Sequence, residues 1–304
     1  RLAQRRGTGM RSWMAAAAAL ACTAGLAAAQ DNTEGQVDPK ELAAIIAAHP
    51  SWQAWLSDPA LAKLTLAGPK MPNSPWRADD IRRPQPPVVH TGTECAGPPP
   101  ADADMLFDGH DISRWTGDHI NEWTVKDGVL TAGGRVYNFL KTRAAYGDVQ
   151  IHLEFREPAQ PDPPVNPQRR GNSGVFPMGL YEIQILDSFG VETYPDGTLG
   201  AIYSQNPPLA NAARPPGAWQ CYDIIFHAPH FDGGKLASPA RMTALLNGVL
   251  VQDNFPLIGA TVHGAVGHYT PHPAELPLAI QDHGNPESRV SFRNIWVRRL
   301  APPK

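Results

Sequence analysis

From Asp104 onward the sequence predicts an all-β domain, and before it a short helical extension. Three observations carry this reading. Apolar runs are short and separated by turn residues, the pattern of consecutive strands. Several runs alternate with a period of two, as in Val149, Ile151, Leu153 and Phe155 against Gln150, His152, Glu154 and Arg156, a half-buried strand. The dipeptides Asp127-Gly128 and Asn247-Gly248 each lie between apolar runs and suit tight hairpins.

Residues 1–29 read as a secretory leader. Arg1, Arg5, Arg6 and Arg11 precede an alanine-rich run from Trp13 to Ala29, and Ala27-Ala28-Ala29 before Gln30 fits an A-x-A cleavage site. Thr23 and Gly25 interrupt the run, which is marginal for spanning a bilayer. Met10 would serve as a start, making residues 1–9 an over-extension. A lipoprotein reading through Cys22 fits less well, because Ala19 stands where a lipobox prefers Leu. The expected location is therefore secreted, in a bacterial periplasm, with no transmembrane segment once the leader is removed. The net charge of −3 becomes about −7 without the four leader arginines. An acidic surface argues against nucleic acid as a partner. Cys95 and Cys221 remain after Cys22 leaves; in an oxidising compartment they can pair and pin the linker to the β domain, or stay as two thiols.

Residues 30–66 form the helical extension. A helix is expected over 38–48, with Asp38 as N-cap, Pro39 in the first position and Glu41 closing a capping box. Leu42, Ile45 and Ile46 make its apolar stripe. A second short helix covers Trp52–Leu56 and a third starts at Asp58-Pro59. Residues 67–102 carry nine prolines and read as a linker or, since Trp76 and Ile81 need somewhere to pack, a strap over the β domain.

The β domain takes residues 103–304. Tyr222, Ile224 and Phe226 face one way, with Cys221, Asp223 and Ile225 opposite. Val290, Phe292 and Trp296 are expected on one face of the last strand, with Arg293 on the other. Two loops, 157–173 and 204–218, are long for a compact domain and rich in Pro, Asn and Arg, which marks them for function. The stretch from Arg170 to Gly190 stands out. Tyr181, Ile183 and Ile185 point one way, and Glu182 and Gln184 the other. A carboxylate and an amide thus stand side by side on one sheet face, either an active-site floor or a solvated outer face.

This stretch belongs to an ordered set of motifs: Leu-Phe-Asp-Gly-His-Asp-Ile-Ser-Arg-Trp (106–115), Trp-Thr-Val-Lys-Asp-Gly-Val-Leu (123–130), Gly-Asp-Val-Gln-Ile-His-Leu-Glu-Phe-Arg (147–156), Gly-Ala-Ile-Tyr (200–203), Trp-Gln-Cys-Tyr-Asp-Ile-Ile-Phe (219–226), Ile-Gln-Asp-His-Gly (280–284) and Phe-Arg-Asn-Ile-Trp-Val-Arg (292–298). In this order they resemble the 3-keto-disaccharide hydrolase family, over about Asp104 to Leu300. The resemblance implies a concanavalin A-like β-sandwich (jelly roll), and secreted bacterial proteins acting on sugars, some of them on 3-keto-glycosides. One departure is visible: Leu246 precedes Asn247-Gly248 where a His would be expected.

A ketone at C3 acidifies the hydrogen on C2. A base removes it, the enolate expels the C1 substituent, and water adds back. Such a site needs a base, an enolate stabiliser and a leaving-group acid. Glu182 is the first candidate for base, since partial desolvation by Tyr181 and Phe176 would raise its pKa. His283 is the alternative base or acid. Asp187 could orient His283 or ligate a metal. Arg293, or Arg170 and Arg214 in the long loops, could hold an oxyanion. Gln184, Gln281 and Asn172 suit sugar hydroxyls, because amides both donate and accept. Tyr203 and Trp219 could stack on a pyranose. A divalent metal would suit the ketone, and His268 and His272 have the spacing of a ligand pair, though in a proline-bearing loop without helical geometry.

Two other readings stay open. A conventional glycoside hydrolase needs two carboxylates, for which Glu182 with Glu154 or Asp187 are available. The glucanase E-x-D-x-x-E strand is absent, because Gln184 stands where its central acid would be. A lectin-like module would bind a glycan on the same polar face without reaction.

Overall fold

A computed structural model describes residues 37–92, 95, 97–159 and 166–300. The leader with its Cys22, and the first residues of the extension, lie outside these. The described residues all fall within one compact unit.

Three helices open it: α1 (Pro39–Ala48), α2 (Gln53–Leu56) and α3 (Pro59–Ala67). Asp38 caps α1 by accepting from Lys40 N at 2.8 Å, and Asp58 caps α3 in the same way through Ala60 N. Glu41 does not close the expected capping box; it pairs with Arg82 at 2.8 Å, tying α1 to the strap. The strap does pack: Ile81 is buried, and with Trp52, Trp55, Leu56, Leu66, Tyr194 and Tyr203 it forms a second apolar cluster joining extension to β domain.

Fifteen strands follow among the described residues: β1 (Asp104–Phe107), β2 (Trp115–Thr116), β3 (Thr124–Lys126), β4 (Val129–Thr131), β5 (Asn138–Tyr146), β6 (Val149–Arg156), β7 (Ser173–Phe176), β8 (Ile183–Ile185), β9 (Gln220–His227), β10 (His230–Asp232), β11 (Lys235–Ser238), β12 (Arg241–Leu246), β13 (Val249–Pro256), β14 (Leu276–Asp282) and β15 (Ser291–Arg299). One sheet runs β13-β12-β9-β6-β15-β4-β3, with β1 also on β15; the other runs β2-β5-β14-β7-β8. All pairings between these strands are antiparallel. The two large sheets bury Leu153, Phe155, Tyr222, Ile224, Phe226 and Phe292 against Leu140, Val175, Ile183, Ile185 and Ile280. This is a concanavalin A-like β-sandwich with a short helical N-terminal extension. At both expected hairpins the two turn residues have positive φ, 51° and 76° at Asp127-Gly128 and 53° and 81° at Asn247-Gly248, which Asn, Asp and Gly tolerate best.

Two details of the pattern are corrected. β6 is buried on both faces, not half-buried. His152 is fully buried, stacks on Trp296 at 5.1 Å and meets Asp223 Oδ1 through Nδ1 at 2.7 Å, and Glu154 is covered by Arg293. In β15 Trp296 does not share a face with Phe292. Asn294, at φ 47°, introduces a bulge between Arg293 and Trp296, so Phe292, Ile295 and Val297 enter the core while Trp296 joins Arg293 on the outside.

Cys95 and Cys221 form a disulfide, Cα to Cα 5.8 Å, that fastens the strap to β9. Among the described residues no helix is long and apolar enough to cross a membrane.

Candidate active site

At β7 and β8 the outer face of the smaller sheet is covered, whereas Lys141 and Arg143 of β5 stay exposed. Gly174 of β7 pairs with Gln184 of β8, and Val175 pairs with both Ile183 and Ile280 of β14. Continued by one residue, that register sets Gln281 beside Gly174, and Ser173 Oγ donates to the Gln281 carbonyl at 2.7 Å. Gln184, Gly174 and Gln281 therefore make a row across three strands, opposite the core face of Ile183, Val175 and Ile280. Glu182 enters this row from the residue before β8. Its N–H donates to Thr261 Oγ1 at 2.9 Å, and its carbonyl accepts from Tyr203 N at 3.3 Å.

Above the row lies a cavity of about 470 Å³, lined by Glu182, Gln184, Gln281, His283, Asn172 and Tyr203 among others. Glu182 is the only carboxylate among its lining residues. The carboxylate is buried, and among the described residues it has no hydrogen-bond or ion-pair partner. Burial, and then the charge of Asp79, push its pKa well above the ordinary carboxylate range. His283, half-buried, is pushed down by burial, although its Nδ1 meets Asn285 Oδ1 at 3.0 Å. The two candidates for proton transfer are thus driven in opposite directions. Gln184 Oε1 and Gln281 Oε1 are buried without a hydrogen-bond partner among the described residues, as is Gln168 Oε1 on the same cavity. Orphaned acceptors of this kind are costly unless a ligand or water meets them.

The structure brings six of the candidates to this cavity and sends the others elsewhere. Arg170 and Asp187 are both buried and joined at 2.7 Å, and neither lines the cavity. Asp187 therefore orients Arg170, not His283. Arg293 is on the outside of the larger sheet, where it pairs with Glu154 at 2.6 Å and lies 4.1 Å over the Trp219 ring. Arg156 also lies over the Trp219 ring, at 4.7 Å, so that ring stacks with cations and does not line the cavity. Arg214 donates to the Trp219 carbonyl at 2.7 Å and rests on the sulfurs of the disulfide. Arg293 belongs to the other sheet, and Arg170, Asp187, Arg214 and Trp219 lie outside the strands and do not line the cavity. Glu154 and Asp187, the partners a two-carboxylate mechanism would need, are likewise away from the cavity. His272 does not pair with His268: its Nε2 meets the Tyr181 hydroxyl at 2.8 Å. Among the described residues no three His, Cys, Asp or Glu side chains gather to hold a metal. Leu246 is buried in the core, so the residue standing in place of the expected His removes nothing from the cavity wall.

The sequence reading missed half of the wall. Trp55, Leu61 and Leu64 of the extension line the cavity, together with Tyr137, Tyr194, Thr261 and His263. It also missed Asp79 in the strap. Asp79 accepts from Ser204 Oγ at 2.7 Å and Gly264 N at 3.1 Å, and its own N–H donates to Asp196, which Arg83 also holds at 2.7 Å. Burial raises Asp79 to about 6 and Asp196 to about 7. The only sequence signal was the need of the extension's tryptophans for a surface.

The family model for a 3-keto-alpha-glucoside-1,2-lyase-like domain matches residues 102–298. The chain belongs to this family. Its sandwich is similar to the crystal structure of a presumed glycosyl hydrolase from Parabacteroides distasonis, with 39% identity, a TM-score of 0.64, and coverage of 72% of this chain and 93% of that one. A second presumed glycosyl hydrolase from the same organism is 20% identical, with a TM-score of 0.48 over 66% of this chain and 94% of its own. Among curated proteins none matches. Family and relative make this a carbohydrate-active, hydrolase-like domain, and the matched region leaves Trp55, Leu61, Leu64 and Asp79 outside it.

Proposed function

We propose that the protein is a secreted hydrolase cleaving 3-keto-glycosides, with Glu182 and His283 as the acid–base pair. The observation that carries this is the Glu182 carboxyl, buried without a partner in the same cavity as a half-buried His283. Their opposed shifts favour a neutral Glu182 and a free imidazole near neutral pH, so roles divide as acid and base. His283 takes the proton from C2, and the electrons pass to the C3 oxygen as an enolate. The enolate reforms the ketone and breaks the C1–oxygen bond while Glu182 protonates the departing alcohol. Water then adds to C1 of the unsaturated ketone, giving its proton to the Glu182 carboxylate, and His283 returns its proton to C2. The sum is hydrolysis, with both residues restored. Gln184 and Gln281 would accept sugar hydroxyls, and Asn172 and Tyr203 would border the ring. The Cys95–Cys221 bond suits an oxidising compartment such as the periplasm.

The test is release of the aglycone from a 3-keto-glucoside, with and without a chelator or added divalent ion. Release is expected, and Glu182→Gln should lower it about 100-fold or more while leaving sugar binding largely in place. Glycan binding with no release from several such compounds would replace this reading with a lectin-like module.

A further inference from the structure

The cavity lining has three sources, of which the loop at 166–169 supplies Asn166, Gln168 and Arg169. The sheet offers Glu182, Gln184, Gln281 and Asn172. The extension offers Trp55, Leu61 and Leu64, none of them within the region the family model matches. These three residues are held in place. Trp55 is buried and packs on Tyr194 at 5.8 Å, and the Tyr194 hydroxyl meets that of Tyr203 at 2.7 Å. Asp79 and Arg83 bind the following strap to Ser204 and Asp196. Leu64 is seated against Gly264 so closely that a Cβ there would run into its Cδ1. Leu61 and Leu64, three residues apart on α3, share a face; both are half-buried and line the cavity, and Leu61 also packs against the second apolar cluster.

We propose that the extension builds the leaving-group subsite, and that this subsite takes an apolar, ring-sized aglycone in preference to a second sugar. The inference rests on the reaction proposed above. A second pyranose would turn hydroxyls toward Leu61 and Leu64, which can neither donate nor accept, and would lose their hydration without return. An aromatic or alicyclic group gives up nothing there and covers both side chains.

The experiment compares kcat/KM for methyl and 2-phenylethyl 3-keto-glucosides, whose leaving alcohols are of similar acidity, and for a 3-keto-disaccharide. The phenylethyl compound is expected to lead both by tenfold or more. In Leu61→Gln/Leu64→Gln the lead should shrink to within threefold. Leu61→Phe, at a half-exposed site that tolerates change, should cut turnover of the phenylethyl compound more than that of the methyl compound; it serves if the double variant does not fold. Equal rates in the wild type, a lead for the disaccharide, or a lead untouched by these substitutions would overturn the subsite. If no compound is cleaved, the proposed reaction fails separately. The same tenfold criterion is then read from calorimetric Kd values for the same compounds, where equal affinity, or no binding, overturns the subsite as well.

Discussion

Glu182 Oε1 lies over the Cα of Gly174, in the space that any side chain on Gly174 would fill. The glycine in the middle strand is what allows the carboxyl to lean from the end of β8 toward the centre of the amide row. Gly174→Ala should push the carboxyl aside. A displacement on the order of 1 Å is enough to cost about 100-fold in rate, and overpacking a buried strand costs about 1–3 kcal/mol. Folded Gly174→Ala protein that keeps wild-type kcat/KM would show that the carboxyl need not stand there.

Glu182 and His283 also set the pH profile. With the carboxyl raised and the imidazole lowered, the active form carries its proton on Glu182. Activity should fall on the acid side as His283 is protonated and on the alkaline side as Glu182 ionises, giving a bell in kcat/KM. Residual activity in Glu182→Gln should lose the alkaline limb only. An unchanged alkaline limb in that variant would assign it to another group.

The sandwich and the floor of the site were legible because both follow from a period of two. Once Ile183 and Ile185 face the core, Glu182 and Gln184 must share the other side. What failed depended on events that break the period or come from a distance. The bulge at Asn294 turned Trp296 to the outside. Arg293 and Trp219 sit on a sheet whose outer face looks, in sequence, no different from a binding face. Arg170 and Asp187, near each other in sequence, neutralise one another. The wall formed by Trp55, Leu61 and Leu64 was illegible because it is a tertiary contact between segments more than 100 residues apart, with no local pattern to announce it.

The Cys95–Cys221 bond closes a loop with a sequence separation of 126 residues and fastens the strap on which Asp79 lies. Cross-links of this kind stabilise by about 2–4 kcal/mol. Cys95→Ser, or full reduction, should lower the denaturation midpoint accordingly. Arg214 should feel the loss too, since it rests on both sulfurs. Equal urea midpoints for reduced and oxidised protein would show that the sandwich alone holds the strap.

Glu157, fully buried, accepts from Gln220 Nε2 with both oxygens, at 2.8 and 3.0 Å, yet burial raises it to about 8. Asp79 and Asp196 are raised as well, to about 6 and about 7. In each case the folded state holds the proton more tightly than the unfolded chain does. Their contribution to stability is therefore complete below about pH 4 and declines as pH rises toward the folded values. The slope is at most about 1.4 kcal/mol per pH unit for each group releasing a proton, and Asp79 and Asp196, in contact, titrate as a pair. Glu182, also raised, adds to this decline. Glu287 and Asp111 are lowered and pull the other way only at acid pH and from the surface, whereas His263 and His283, lowered by burial, pull the other way within the range from pH 5 to 8. Urea unfolding should thus give greater stability at pH 5 than at pH 8. Glu157→Gln, which keeps an acceptor for Gln220 and cannot ionise, should flatten that decline between pH 5 and 8. A slope unchanged in the variant would mean that Glu157 is already ionised in the folded protein.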